Sequence, residues 1–259
     1  VRRWTMASRL ELLKIPNRWR EFQAFHRRVS KMHGMGLTEL AEEAKRLEAR
    51  AYYRSETLST ESVSAHQEFR ARYPKSDMRS SSRRKEALIA VARALSTKSV
   101  EAIGEFRRKY AGFEEAKGPI AKARQVEAEL AYEVARKDDT VERYRWFLAT
   151  YGHWSESASR IASIRQSLVA RAELDAVHAM TVAALQDFRE AYKGWDEARE
   201  ALLRVRKEEV KLARKLAVAS RSVQQLGAFR QTYAGWEEAA TAIKEVYELE
   251  AKIALSEAV

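Results

Sequence analysis

FREAYKGWDEA at residues 188–198 and FRQTYAGWEEA at residues 229–239 are nearly the same eleven residues written twice, 41 positions apart. Aligning the chain outward on the Phe–Tyr pair of this stretch gives five copies. Ser62-Val63, Ser99-Val100, Thr140-Val141, Thr181-Val182 and Ser222-Val223 head the units. Six residues after each Val comes Phe69, Phe106, Phe147, Phe188 or Phe229, and four further on Tyr73, Tyr110, Tyr151, Tyr192 or Tyr233. In the last four units Gly112, Gly152, Gly194 or Gly235 follows, and then Phe113, Trp154, Trp195 or Trp236. The Phe-to-Phe steps are 37, 41, 41 and 41, and a period of this size is the mark of stacked helical repeats.

Each position has a mechanical reading. The hydroxyl at the head is suited to cap a helix by accepting a free first-turn amide. Val, the residue three later, Phe and Tyr fall on one stripe of that helix; in the fourth copy the stripe is Val182, Leu185, Phe188 and Tyr192. The glycine is expected to end the helix in a left-handed conformation. The following aromatic is expected to wedge between this helix, of about 13 residues, and a second of about 22. In the second helix Ile120, Ile161, Leu202 and Ile243 share a register, as do Ala123, Ile164, Val205 and Val246. A single hairpin of this kind cannot bury its stripe alone, so stacking on neighbours must complete the burial. The expected fold is therefore all-α: a right-handed α-solenoid of helix-turn-helix repeats with a period of about 41.

The boundaries expected are 59–95, 96–136, 137–177, 178–218 and 219–259 for the five hairpins. The first departs from the pattern, with Pro74 where the others continue toward glycine. In the second, Gly118-Pro119 suggests a late or kinked start to the longer helix. Residues 1–58 are read as a basic N-terminal segment holding a degenerate capping hairpin, with Asn17 as cap and Gly34 or Gly36 as break. The chain begins with Val and ends ELEAKIALSEAV without a polar closing helix. It is therefore expected to belong to a longer chain, with further repeats, another domain, a partner or a second copy covering the C-terminal end.

FRARYPKS (69–76) and TVERYRWFLATYGHWSESA (140–158) resemble the tetratricopeptide-like repeats of bacterial TolA-binding proteins and outer-membrane assembly lipoproteins, with their F-L-x-x-Y-P-x-S core. The likeness rests on Phe69, Tyr73, Pro74 and Ser76, then on Phe147, Leu148 and Tyr151. It implies a helical-repeat scaffold or adaptor with no catalytic residues. Units two to five depart from it by placing Gly-Trp or Gly-Phe where that family has Pro-x-Ser.

Composition agrees with helices. Gly (9) and Pro (3) are scarce among 259 residues, while 46% are hydrophobic and 33% charged. The absence of cysteine excludes a disulfide framework and thiolate metal sites. No apolar run reaches membrane-span length, and no signal-peptide pattern stands at the N-terminus. The compartment stays open, the cytoplasm slightly ahead of the periplasm.

The net charge of +11 is uneven: residues 1–94 hold 21 Lys/Arg against 11 Asp/Glu, 95–218 hold 23 against 20, and 219–259 hold 4 against 6. This asymmetry reads either as an ordinary solvated surface on one side of a helical protein or as the mark of an anionic partner at the N-terminal end. Candidate contacts are Arg27, Arg28, Lys31, Arg70, Arg72, Arg83, Arg84 and Lys85. An acidic protein surface is the least demanding partner. A membrane surface comes next, with Trp4, Leu10 and Leu12 inserting beside Arg2, Arg3 and Arg9. Nucleic acid comes last, because no recognition motif is present. The serines of RSSSRRK (79–85) read as a helix start or, alternatively, a kinase target.

Arg70, Arg107, Arg189 and Arg230 each follow the repeat Phe, with Leu148 the exception. They are expected to brace each hairpin by pairing with Glu115, Glu197 or Glu238 eight residues later, or else to form a basic ladder for a ligand. His66 takes an apolar-stripe position. His26 and His33 make a poor metal site, and other carboxylates look like surface residues. Without a P-loop, dinucleotide fingerprint or nucleophile elbow, the expectation is a non-catalytic protein with no cofactor, docking other proteins or other domains of its own chain, or acting as a spacer.

Overall fold

The computed structural model describes residues 19–32 and 37–257. Trp4, Leu10, Leu12, Arg2, Arg3, Arg9, Asn17, His33, Gly34 and Gly36 lie outside the described residues. No strand occurs among those described. The helices are α1 Trp19–Val29, α2 Leu37–Tyr52, α3 Val63–Arg72, α4 Arg79–Ser96, α5 Val100–Tyr110, α6 Lys117–Asp138, α7 Val141–Tyr151, α8 Ala158–His178, α9 Val182–Tyr192, α10 Arg199–Ser220, α11 Val223–Thr232 and α12 Ala240–Glu257. Contacts divide the chain into two compact units, Val1–Leu130 and Ala131–Val259.

In the first unit α1 and α2 pack on each other through Phe22, Phe25, Val29, Ala44 and Ala51. A π-helical turn, Tyr53–Thr57, prolongs α2 and seats Tyr53 against Phe69 and His66. The next apolar layer is built by three consecutive helices: Ala87, Val91 and Ala94 of α4, Ile103, Phe106 and Tyr110 of α5, and Ala123 of α6. The second unit repeats this design with Val210 and Ala217 of α10, Leu226 and Phe229 of α11, and Val246 of α12. Burial thus needs the long helix of one hairpin and both helices of the next.

The heads behave as caps. The hydroxyls of Ser62, Ser99, Thr140, Thr181 and Ser222 accept the amides of Ala65, Ala102, Arg143, Ala184 and Gln225. On the stripe, Phe69, Phe106, Phe147, Phe188 and Phe229 are buried, as are Tyr73, Tyr110, Tyr151, Tyr192 and Tyr233. His66, Ile103, Tyr144, Leu185 and Leu226 are buried beside them. The short helices run 10 or 11 residues, shorter than expected because each ends at or just before its Tyr.

The turn that follows is held by a backbone hydrogen bond and a ring contact in each of the last four hairpins. The amides of Phe113, Trp154, Trp195 and Trp236 reach back 3.0–3.1 Å to the carbonyls of Tyr110, Tyr151, Tyr192 and Tyr233. Their rings meet those tyrosines edge to face, at 4.9–5.5 Å between centroids, a favoured aromatic geometry. A single 3-10 turn then leads into the long helix, closed by Ala116, Ser157, Ala198 or Ala239, all fully buried. This is the reason for the small residue ending the quoted GWDEA and GWEEA.

The glycine reading is corrected. Among the described glycines only Gly235 is left-handed, at φ 82°, whereas Gly152 is right-handed at φ −62°. Gly112 and Gly194 have no positive φ either. The left-handed residues stand at the other bend, just before the cap: Lys98, Asp139, Met180 and Arg221, with φ between 46° and 51°. There a long helix must reverse into the next short one within two or three residues, and a single left-handed residue does this. Gly118-Pro119 neither delays nor breaks α6, because a first-turn proline gives up an amide without an intrahelical acceptor. Pro74 stands two residues beyond the end of α3.

Candidate functional site

Four of the carboxylates expected on the surface lie inside: Glu48, Glu86, Glu127 and Glu209 are 0–4% exposed. Glu86, Glu127 and Glu209 share a register with Glu250, and in the third unit that register holds Leu168. A buried carboxylate requires compensation, and Glu48, Glu86 and Glu209 receive it from two hairpins.

The first donor is the Arg after the repeat Phe. Arg70 pairs with Glu86, Arg107 with Glu127 at 2.8 Å, Arg189 with Glu209 at 2.6 Å and Arg230 with Glu250 at 2.7 Å. The bracing of the two helices is therefore present, but through the middle of the long helix rather than through Glu115, Glu197 or Glu238. Those three sit at the 3-10 turn, one residue beyond its start, where Glu197 instead lies 3.7 Å from Arg165.

The second donor is the stripe Tyr of the following hairpin. Tyr73 donates to Glu48 at 2.8 Å, Tyr110 to Glu86 at 3.0 Å and Tyr233 to Glu209 at 3.2 Å. Burial first, then hydrogen bonding to the anion and its charge, raise the Tyr73 and Tyr110 hydroxyls well above the usual phenol range. Tyr233 is pushed up to about 12, by burial and then by the charge of Glu209. These phenols stay protonated and act as fixed donors. Glu86 and Glu209 are thus clamps, each holding an Arg of its own hairpin and a Tyr of the next. Glu48 has Gln23 in place of Arg, at 3.3 Å.

A second repeated contact escaped the sequence reading. Arg83 stacks over Phe113 at 5.2 Å, Arg165 over Trp195 at 5.2 Å and Arg206 over Trp236 at 5.3 Å. Each is a cation over the face of an aromatic ring in the following hairpin. Their sequence signal is the series Arg83, Arg124, Arg165 and Arg206, spaced by 41.

The third unit breaks the clamp at both ends. Leu148 replaces its Arg and Leu168 its Glu. The hydroxyl of Tyr192, which would donate to position 168, is buried without a partner.

The candidate contacts separate into two groups. Arg70 is engaged by Glu86 and by the Ser82 hydroxyl at 3.3 Å. Arg72 lies over Trp19, Tyr52 and Tyr73, and Arg83 is half-buried on Phe113. Arg27, Arg28, Lys31 and Arg84 are exposed and have no ion pair or hydrogen bond to the described residues. Lys85 is half-buried near His66, whose basicity is lowered by burial first and then by Arg70 and Lys85, against the opposing pull of Glu86. Within RSSSRRK, Ser82 is fully buried and bonded to His66, so it is closed to a kinase.

Among the described residues no group of three or more His, Asp or Glu side chains is arranged to hold a metal ion. No described helix is long and apolar enough to cross a membrane. No family model, curated protein or solved structure matches the chain.

Proposed function

We propose that the chain is a non-catalytic interaction scaffold, a right-handed α-solenoid of tetratricopeptide-like hairpins repeating about every 41 residues. It docks other proteins, or other domains of a longer chain. What supports the reading is the division of labour among the charges. Repeated Arg and Glu side chains are consumed in holding hairpins together, whereas Arg27, Arg28, Lys31 and Arg84 are left exposed and uncompensated. Surplus cations without internal partners are what an acidic protein surface would recognise and be steered by.

The test is titration with an acidic peptide, anionic vesicles and an oligonucleotide at two salt concentrations. The expected result is salt-sensitive binding of the peptide, weakened at least ten-fold by the triple reversal Arg27→Glu, Arg28→Glu and Lys31→Glu. Binding confined to vesicles or the oligonucleotide would replace this reading with that of an anionic-surface binder. Binding to none of the three would leave a spacer between flanking domains.

A further inference from the structure

At the broken clamp of the third unit lies a recess of about 260 Å³, lined by Arg145, Leu148, Leu168, Ala191, Tyr192 and Trp195. At ~30 Å³ per water-sized group it has room for about nine heavy atoms. Its chemistry differs from that of the other hairpins. The body is apolar, because Leu148 and Leu168 stand where Arg and Glu stand elsewhere. Tyr192 is 3% exposed, and its hydroxyl has no acceptor. Arg145, at the margin, is exposed and forms no ion pair among the described residues. No acidic side chain lines the recess.

A buried donor without an acceptor is costly, and an exposed cation lining the same recess carries the opposite charge to a carboxylate. We propose that this recess is a binding site for a small apolar carboxylate. The carboxylate accepts the Tyr192 hydroxyl and pairs with Arg145, while the hydrocarbon packs on Leu148, Leu168 and Trp195. The ligand's oxygen would take the place that Glu209 fills for Tyr233.

The probe is hexanoate, titrated into the full chain with Leu methyl and Trp indole resonances observed, and with hexan-1-ol and hexylamine as controls. The expected result is saturable shifts at Leu148, Leu168 and Trp195, with hexan-1-ol at least ten-fold weaker, the scale of a hydrogen bond to a charged group. Tyr192→Phe should keep or raise the melting temperature, since the hydroxyl is unpaired, and should weaken hexanoate about ten-fold. Arg145→Gln, at an exposed position, should weaken it several-fold. Leu168→Glu should abolish binding by supplying the missing acceptor internally. Equal affinity for hexanoate and hexan-1-ol, unchanged affinity in both Tyr192→Phe and Arg145→Gln, or no saturation at millimolar hexanoate would each overturn the proposal.

Discussion

Arg189 and Glu209 show what the repeated charges do. Glu209 has no exposed surface, and its oxygens are met by Arg189 at 2.6 Å and Tyr233 at 3.2 Å. Removing one member of such a pair leaves an uncompensated buried charge, whereas replacing both with apolar residues can be nearly neutral. Leu148 and Leu168 are that double replacement, already present in the same chain. Arg189→Leu should therefore cost about 3 kcal/mol in denaturant unfolding. Adding Glu209→Leu should recover most of the loss, to within about 1 kcal/mol, the residue being the orphaned Tyr233 hydroxyl. A double variant less stable than the single one would contradict this account. The sequence carried half of the arrangement: Arg70, Arg107, Arg189, Arg230 and the exception Leu148 stand out at a glance. Its partner was hidden because Glu86, Glu127 and Glu209 lie in long amphipathic helices where most carboxylates face water. Only the matching exception at Leu168 marks that register.

At the scale of the hairpin, caps and stripes were legible because they depend on local chemistry: a hydroxyl before Val, and aromatic residues at helical spacing. The bends were not, since the backbone conformation of a turn depends on how the two helices meet. The glycines drew attention to one bend, but the left-handed residues at the other are Lys98, Asp139, Met180 and Arg221. Three substitutions separate the two readings. Gly194→Ala should change stability by less than about 0.5 kcal/mol, because φ is ordinary and no atom lies within 4 Å of the added methyl. Gly152→Ala should destabilise by about 1–3 kcal/mol, because its methyl would press on the Leu148 carbonyl oxygen. Met180→Gly should stabilise by about 0.5–1 kcal/mol, by relieving a left-handed conformation at a side chain that is 72% exposed. Thermal melts of the three variants check this order, and a severe loss in Gly194→Ala would restore the glycine-based turn.

At the scale of the molecule, the all-helical architecture followed from scarce Gly and Pro and from the 41-residue frame. Which residues join one hairpin to the next did not, because such contacts are distant in sequence and polar. Within each compact unit an apolar layer is shared by three consecutive helices. A buried Glu then ties the layer to the following hairpin through a Tyr 24 or 25 residues later. If this tie is the coupler between repeats, its two ends must depend on each other energetically. The most direct measurement is a double-mutant cycle with Glu209→Gln and Tyr233→Phe, read by urea unfolding at neutral pH. The account predicts a coupling energy of about 1 kcal/mol or more. Additivity within about 0.3–0.5 kcal/mol would contradict it, since two groups that do not act on each other lose their contributions independently.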